Sequence, residues 1–540
     1  MLNSIDNLEK VTAHSLMKIL NYTNIQNVNF QLTEKFTQID SPPSKIVLNF
    51  ENNQQIYYIV AFNSLGHSRE EVICVDVNAI DTNFCVEDSN GKKLEIQLNY
   101  VWIKEELQKN KYEVCFLGSF KALSLNRFKI FKCDNNNGDD VPNLSQVSLY
   151  RYSHFDMKHI TNQDEIPNQL AIENDLVQLE FSGNDGMIRR VIFKDSKEGI
   201  GEHNFRMSLM SYGTKTEKKV QKSGAYIFLP DHEQAQDIVY SKPKIRLTKG
   251  IIFDRLEVIL DKPFYFKNQI TLIKGRTFFQ LENEFDLASG PFNNKELFIR
   301  FYTDIQNNDI FYTDLNGFQI VKRKRYSKIP LQGNVYPMPT MAYIQDETTR
   351  LNILSGQPLG VTSLQNSWLD IFLDRRLMQD DARGLNQGVT DNKLTRETFE
   401  IIFESTPMDE IKPSVKVQTE MIGLLYPLVN MFSTETSAVS QVNFMENSLP
   451  SNIHLMNIRQ SNKEKFSFFF HRFGVNCQNA NCSDTFILSN TFTQSLIKQV
   501  NFNIKKISLS LINVENDKLN LNDNITIDEM NINVFMINSK

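Results

Sequence analysis

Runs of roughly four to eight residues that alternate apolar with polar follow one another along most of this chain, separated by clusters of Gly, Asn and Asp. Successive side chains of a strand point to opposite faces, so each run buries one face and wets the other. Almost no amphipathic helix lies between the runs. A parallel α/β sheet needs such crossover helices and is excluded, and no fixed-period repeat supports a propeller. What remains is a mainly β chain of consecutive antiparallel β-sandwiches. At 540 residues it is too long for a single core.

The first half offers strands at Lys45–Phe50, Gln55–Phe62, Glu71–Val77, Lys93–Val101, Tyr112–Phe116 and Arg127–Lys132. Ahead of them, residues 5–20 have helical spacing, with Leu8, Val11, Leu16 and Ile19 on one side. The tract 134–143 carries many acidic and amide groups with Gly138 and Pro142, and reads as a linker. A hairpin opens the second half. Asp175–Phe181 alternates, Asn184, Asp185 and Gly186 tolerate the positive φ of a turn, and Ile188–Phe193 alternates back. Further strands are expected at Tyr226–Leu229, Ile238–Tyr240, Lys244–Leu247, Gly250–Leu260, Gln269–Ile273, Leu297–Thr303, Phe318–Lys322, Phe466–Arg472, Phe486–Leu488 and Ile507–Ile512. In Thr277–Leu287, Phe279, Leu281, Phe285 and Leu287 share one face, with Glu282, Glu284 and Asp286 on the other.

A net charge of −6 provides no basic field for nucleic acid or an anionic membrane. No apolar run reaches the ~18 residues that span a bilayer. The first twenty residues lack the basic-then-apolar order of a signal peptide. Cys74, Cys85, Cys115 and Cys133 lie in strand-like runs and read as small buried hydrophobes. Cys477 and Cys482 bracket a short polar loop, a spacing that suits either a disulfide in an oxidising compartment or two unpaired thiols.

Signatures of serine hydrolases, zinc proteases and phosphate-binding loops are missing. His154 and His159 are five apart, off a shared helix face, and read as loop residues rather than a metal pair. Two segments place polar residues beside turn glycines. In Ser223–Pro230 (SGAYIFLP), Gly224 and Ala225 let the backbone approach something closely, and the Tyr226 hydroxyl can bond a ligand or be satisfied internally. In Leu373–Gly388, Arg375, Arg376 and Arg383 mix with Asp374, Asp380 and Asp381. That mixture suits a solvated loop with internal ion pairs, and equally a fork of guanidiniums and carboxylates gripping vicinal sugar hydroxyls.

At these segments a resemblance emerges. SGAYIFLP, FYTDLNGFQI (311–320), YPMPTMAYIQD (336–346) and DRRLMQDDARGLNQGVTDNK (374–393) resemble, in order, the α-mannosidase II branch of glycoside hydrolase family 38. HRFGVNC (471–477) is similar to the segment carrying one partner of that family's disulfide, and FNSLGHSREEVICVDV (62–77) to its first small β-domain. Two departures are local: His232 and Glu233 stand where the family usually carries a Gly-containing turn, and Ala382 and Asn386 vary the loop 379–388.

The resemblance implies four parts: a remnant of a helical bundle at 1–30, a small β-sandwich at 31–140, a galactose mutarotase-like supersandwich at 150–425 and a terminal β-sandwich at 426–540. It implies an α-mannosidase cleaving α-linked mannose of N-glycans with retention, in the Golgi or lysosome lumen. Tyr226, and Arg375 or Arg376, would contact the sugar, Asp381 and Arg383 would support them, and Cys477–Cys482 would be bonded. Retention needs two carboxyls about 5–5.5 Å apart, and a Lewis-acid metal needs three protein ligands. No segment resembles the family's nucleophile or zinc motifs. Catalytic residues, metal ligands and the zinc cofactor are therefore expected in an N-terminal catalytic domain, and this part alone is expected to be inactive. The competing expectations are a stand-alone carbohydrate-binding β-sandwich protein and a purely structural secreted β-protein.

Overall fold

The computed structural model describes residues 2–20, 30–35, 41–52, 54–133, 143–163, 165–194, 200–217, 220–240, 242–405, 411–437, 439–462, 465–478, 480–492 and 502–539. Nearly all of the expected linker, 134–142, lies outside them.

The centre of the molecule is a supersandwich. One sheet of eleven strands runs in spatial order through Ile160–Gln163, Gln146–Tyr150, Lys244–Lys249, Phe253–Leu260, Tyr265–Ile273, Phe279–Asp286, Thr395–Ser405, Thr349–Ser355, Met341–Gln345, Ile310–Leu315 and Gln319–Lys324. The facing sheet runs through Gln169–Glu173, Val177–Ser182, Ile188–Phe193, Glu202–Gly213, Lys295–Thr303, Trp368–Arg376, Leu359–Thr362 and Tyr336–Met338, with the short strand Gln236–Asp237 beside Glu202–Gly213. Alternation decides which side chains enter the seam. Along Phe279–Asp286, Phe279, Leu281 and Phe285 are buried, while Glu282, Glu284 and Asp286 keep partial contact with water. Phe205 stacks on Phe301 at 5.1 Å and meets Phe279 and Phe403 edge-on, a packing that spans both sheets. The expected hairpin forms, with Gly186 at φ +70° in its turn.

Ahead of the supersandwich, Arg69–Asn78, Ile96–Ile103 and Glu106–Phe120 pack on Ile56–Asn63 and Ser124–Lys132 around their own core. This smaller sandwich is not built from contiguous chain. Val429–Ser433 pairs with Ile56–Asn63, and Gln441–Asn443 with Ser124–Lys132, so the chain returns to it before forming the last sheet. That sheet consists of Ile453–Asn462, Lys465–Arg472, Ile532–Ser539, Phe502–Ile507 and Val514–Leu519.

The structure corrects several expectations. Cys74 bonds Cys115 and Cys85 bonds Cys133; these four are not free buried thiols. Cys74 and Cys115 are opposite each other on neighbouring strands, which sequence separation concealed. Cys477–Cys482 is a disulfide, leaving no free cysteine. Tyr226–Leu229 and Ile238–Tyr240 are not strands, and the strand expected to start at Ile507 ends there in a turn. The N-terminal helix, Leu2–Ile19, buries Ala13 and Glu9, whereas Val11 is 63% exposed. The side chains of Leu8 and Leu16 are outside the described set. A second helix, Val415–Leu425, was not read from the sequence. Ser414 caps it by accepting from the Val417 amide, and Val417, Met421 and Ile422 pack on Met341, Leu354 and Ile402.

Where the last sheet meets the supersandwich, His454 and His471 face each other on adjacent strands, both buried. Both ring nitrogens of His454 and Nε2 of His471 lack hydrogen-bond partners among the described residues, and His471 stacks on Phe318 at 4.7 Å. Burial, with neighbouring His67 and His471, pushes His454 down to about 3. Burial alone pushes His471 down to about 4. Both therefore stay neutral in the folded state over a range in which the unfolded chain binds protons, so the stability this pair contributes is full above about pH 6.5 and is lost as the pH drops toward 4. In thermal unfolding across that range, the midpoint of His454→Leu relative to wild type should rise as the pH falls.

Candidate functional site

The strand Glu202–Gly213 ends where the chain must turn sharply. A Cβ on Gly213 would lie 2.5 Å from the Asp231 carboxylate, which here rests against bare backbone. Thr214 and Pro230 then form a bridge that closes the neck of a loop. Inside it the backbone is pinned by side chains. Ser223 Oγ donates to the Leu229 carbonyl at 3.0 Å and accepts from the Leu229 amide at 2.7 Å. The Gly224 amide donates to the Ile227 carbonyl at 3.0 Å. Phe228 tucks under the loop against Tyr212 and Phe372.

Two residues from 150 positions downstream complete the clamp. Asp381, only 4% exposed, accepts the amides of Tyr226 and Ile227 on one oxygen at 2.7 and 3.1 Å. Arg375 donates through Nη1 to the carbonyls of Gly224 and Ile227, the latter at 3.3 Å. Its Nε lies 2.9 Å from Glu296. The loop backbone is thus held from both sides, and Tyr226 points outward, 66% exposed. Among the described residues its hydroxyl has no partner, which excludes the internally satisfied tyrosine.

The other expected site residues divide by geometry. Arg376 donates to Asn293 and Asn392 side chains at 3.1 and 3.0 Å and to the Thr390 carbonyl. Neither guanidinium of the pair is a free fork. Asp380 and Asp381 accept backbone amides rather than arginine. The loop of internal ion pairs is therefore corrected to a loop of carboxylate-held turns. Ala382 and Asn386, the two local variants, both stand at positive φ. Arg383 is exposed and, among the described residues, unpartnered. Small residues at 224–225 do allow a close approach, but what approaches Gly224 is Asp381, 2.5 Å from where a Cβ would be. His159 bonds Gln146.

The residue that sequence reasoning missed is Glu296. It lies buried beneath Arg375, in register with it across the strand pair, and no local motif marks it. Burial pushes its carboxyl up to about 7; Arg375 opposes that shift and Asp374 reinforces it. Among the described residues, the one trio of metal-ligand types drawn together is Cys74, Glu113 and Cys115, and its sulfurs are bonded to each other. Those residues do not fit zinc, which takes thiolate sulfur.

Residues 172–383, which contain the clamp, match the Glycosyl hydrolases family 38 C-terminal domain. The chain belongs to glycosyl hydrolase family 38. The family 38 relatives agree over most of its length. It is 30% identical to alpha-mannosidase 2 of Mus musculus, over 99% of this chain and 49% of that protein. It is 29% identical to alpha-mannosidase 2 of Arabidopsis thaliana, over 81% of this chain and 38% of that protein. An alpha-mannosidase crystal structure from Enterococcus faecalis V583 superposes over 89% of this chain and 56% of that one, with a TM-score of 0.57 at 11% identity, a likeness of fold. The chain spans about half the length of the curated relatives it matches.

The clamp makes Gly224 intolerant of a side chain. Gly224→Ala should cost about 1–3 kcal/mol in chemical denaturation, because Asp381 must move and release its two amides. The same change should speed proteolytic cleavage within the loop.

Proposed function

We propose that this chain is the sugar-facing C-terminal part of a retaining α-mannosidase acting on α-linked mannose of N-glycans. Tyr226 meets the bound mannose, Arg383 offers a second exposed donor, and Arg375, Arg376 and Asp381 hold the segments that carry them. One observation carries this reading: an exposed tyrosine stands on a loop whose backbone is bonded at nearly every turn. Such a side chain binds with little ordering cost, its hydroxyl exchanging hydrogen bonds with a sugar hydroxyl and its ring covering sugar C–H groups. Free arginine forks and a free Asp381 are not required.

In this reading the nucleophile, the acid/base carboxyl and the zinc ligands come from a catalytic domain N-terminal to the matched region. The relatives' length, about twice that of this chain, supports it. The secretory pathway, Golgi or lysosome lumen, is the proposed location. All six cysteines are paired, and disulfides persist in oxidising compartments. Among the described residues no helix is long and apolar enough to cross a membrane.

Purified chain should not hydrolyse an aryl α-mannoside, with or without added zinc. Turnover that a chelator abolishes would place the catalytic set within these residues and end the proposal. Titration with an α-mannosyl oligosaccharide should show Tyr226→Phe weakening binding about threefold to tenfold, the effect of one lost hydrogen bond. Unchanged affinity removes Tyr226 from the site. Tight, Tyr226-dependent binding by the isolated chain would favour a stand-alone carbohydrate-binding protein instead.

A further inference from the structure

We infer that Glu296 is the positioning residue of this site: its carboxylate anchors Arg375, and through Arg375 sets how firmly the Tyr226 loop is held. The inference rests on the reading of Tyr226 as the sugar-facing residue for its functional meaning, but the mechanical link stands on contacts alone.

Glu296 sits on the strand Lys295–Thr303, with Tyr212 opposite it on one neighbouring strand and Arg375 opposite it on the other. It is 2% exposed. One oxygen lies 2.9 Å from Arg375 Nε; the other is buried with no partner among the described residues. The same guanidinium continues through Nη1 to the carbonyls of Gly224 and Ile227, the residues that bracket the Tyr226 turn. A single planar group thus bridges a carboxylate in the sheet to two carbonyls in the loop. Arginine suits this task because its donors diverge in a fixed fork. Without a carboxylate below it, the charge would face only carbonyl dipoles in a half-buried site, and water would compete for it.

The surrounding charges are few. The strand Trp368–Arg376 contributes Arg375 and Asp374, and Asp374 Oδ1 takes the Arg375 amide at 2.7 Å. The strand Glu202–Gly213 contributes Tyr212. Lys295, next along the strand, has its ammonium over the Phe292 ring. The loop contributes only Tyr226, and Asp381 faces the loop amides from the far side. Burial outweighs the single cation, so the Glu296 carboxyl titrates at about 7 rather than in the usual carboxylate range. Above that pH the carboxylate is charged and meets the Arg375 guanidinium as an ion pair.

Hydrogen exchange of the Gly224–Leu229 amides, read by mass spectrometry on the full chain without sugar, tests this. At pH 8.5, where the carboxylate is charged, Glu296→Ala should lower the protection factors of these amides about tenfold, the scale of one charge-assisted hydrogen bond, and Glu296→Gln, which keeps an acceptor for Arg375, should restore part of that loss. Arg375→Ala should lower protection at least as much, and adding Glu296→Ala to it should cause no further loss. Unchanged protection in Glu296→Ala, or additive losses in the double variant, overturns the inference; if Glu296→Ala does not fold, Glu296→Gln against wild type decides. Because no sugar is present, a chain that shows the exchange effect yet binds no mannosyl oligosaccharide keeps Glu296 as the anchor and loses the functional reading alone.

Discussion

The dry seam between the two large sheets governs this molecule. Strand side chains alternate, so every strand that enters the seam commits its odd or even positions to apolar residues, and a slip of one residue would send that whole set to water. Val177–Ser182 and Phe279–Asp286 both obey this constraint. Two ion pairs that lie deep in the supersandwich have close geometry: Arg300 meets Asp370 through two bonds of 2.7 and 2.8 Å, and Arg246 meets Glu257 in the same bidentate manner. A buried charge without such a partner would carry a penalty of several kcal/mol.

The clamp is a consequence of that frame. Glu202–Gly213, Lys295–Thr303 and Trp368–Arg376 are neighbours in one sheet because the seam fixes their register, and that register sets Tyr212, Glu296 and Arg375 side by side. The loop 223–229 then closes over them, with Phe228 packed on Tyr212 and Phe372, aromatic side chains of two of these strands. What is presented to solvent, Tyr226, depends on side chains that bond the backbone of its loop and leave its ring free. Arg375 and Asp381, which by composition looked like ligand-binding groups, are occupied in holding backbone.

The places where the chain departed from expectation share a cause. Tyr226–Leu229 is apolar and aromatic enough to pass as a strand, yet its backbone is satisfied by Ser223, Asp381 and Arg375 rather than by a neighbouring strand. Val415–Leu425 has apolar residues that suit either period, and Ser414 together with the apolar patch at Met341, Leu354 and Ile402 settles it as a helix. The four cysteines of the first sandwich lie in runs that read as buried strand; Cys115 is buried, Cys74 and Cys85 are half-buried on strands, and Cys133 follows the end of one. That they pair was hidden, because partners 41 and 48 residues apart meet only when the strands align.

By itself, the sequence determined the class of fold, since alternation and turn residues are local properties that each segment carries with it. The family was legible as well, in motifs such as SGAYIFLP and DRRLMQDDARGLNQG that keep their order along the chain. The tertiary structure alone decided the division of labour at the site. Whether Arg375 grips a ligand or a loop depends on what lies within about 3 Å of its guanidinium, and both Glu296 and Gly224 are distant in sequence. The same holds for the return of residues 429–443 to the first sandwich and for the burial of His454 against His471. Long-range pairing and burial set the energy of a polar group, and neither is encoded in the residues adjacent to it.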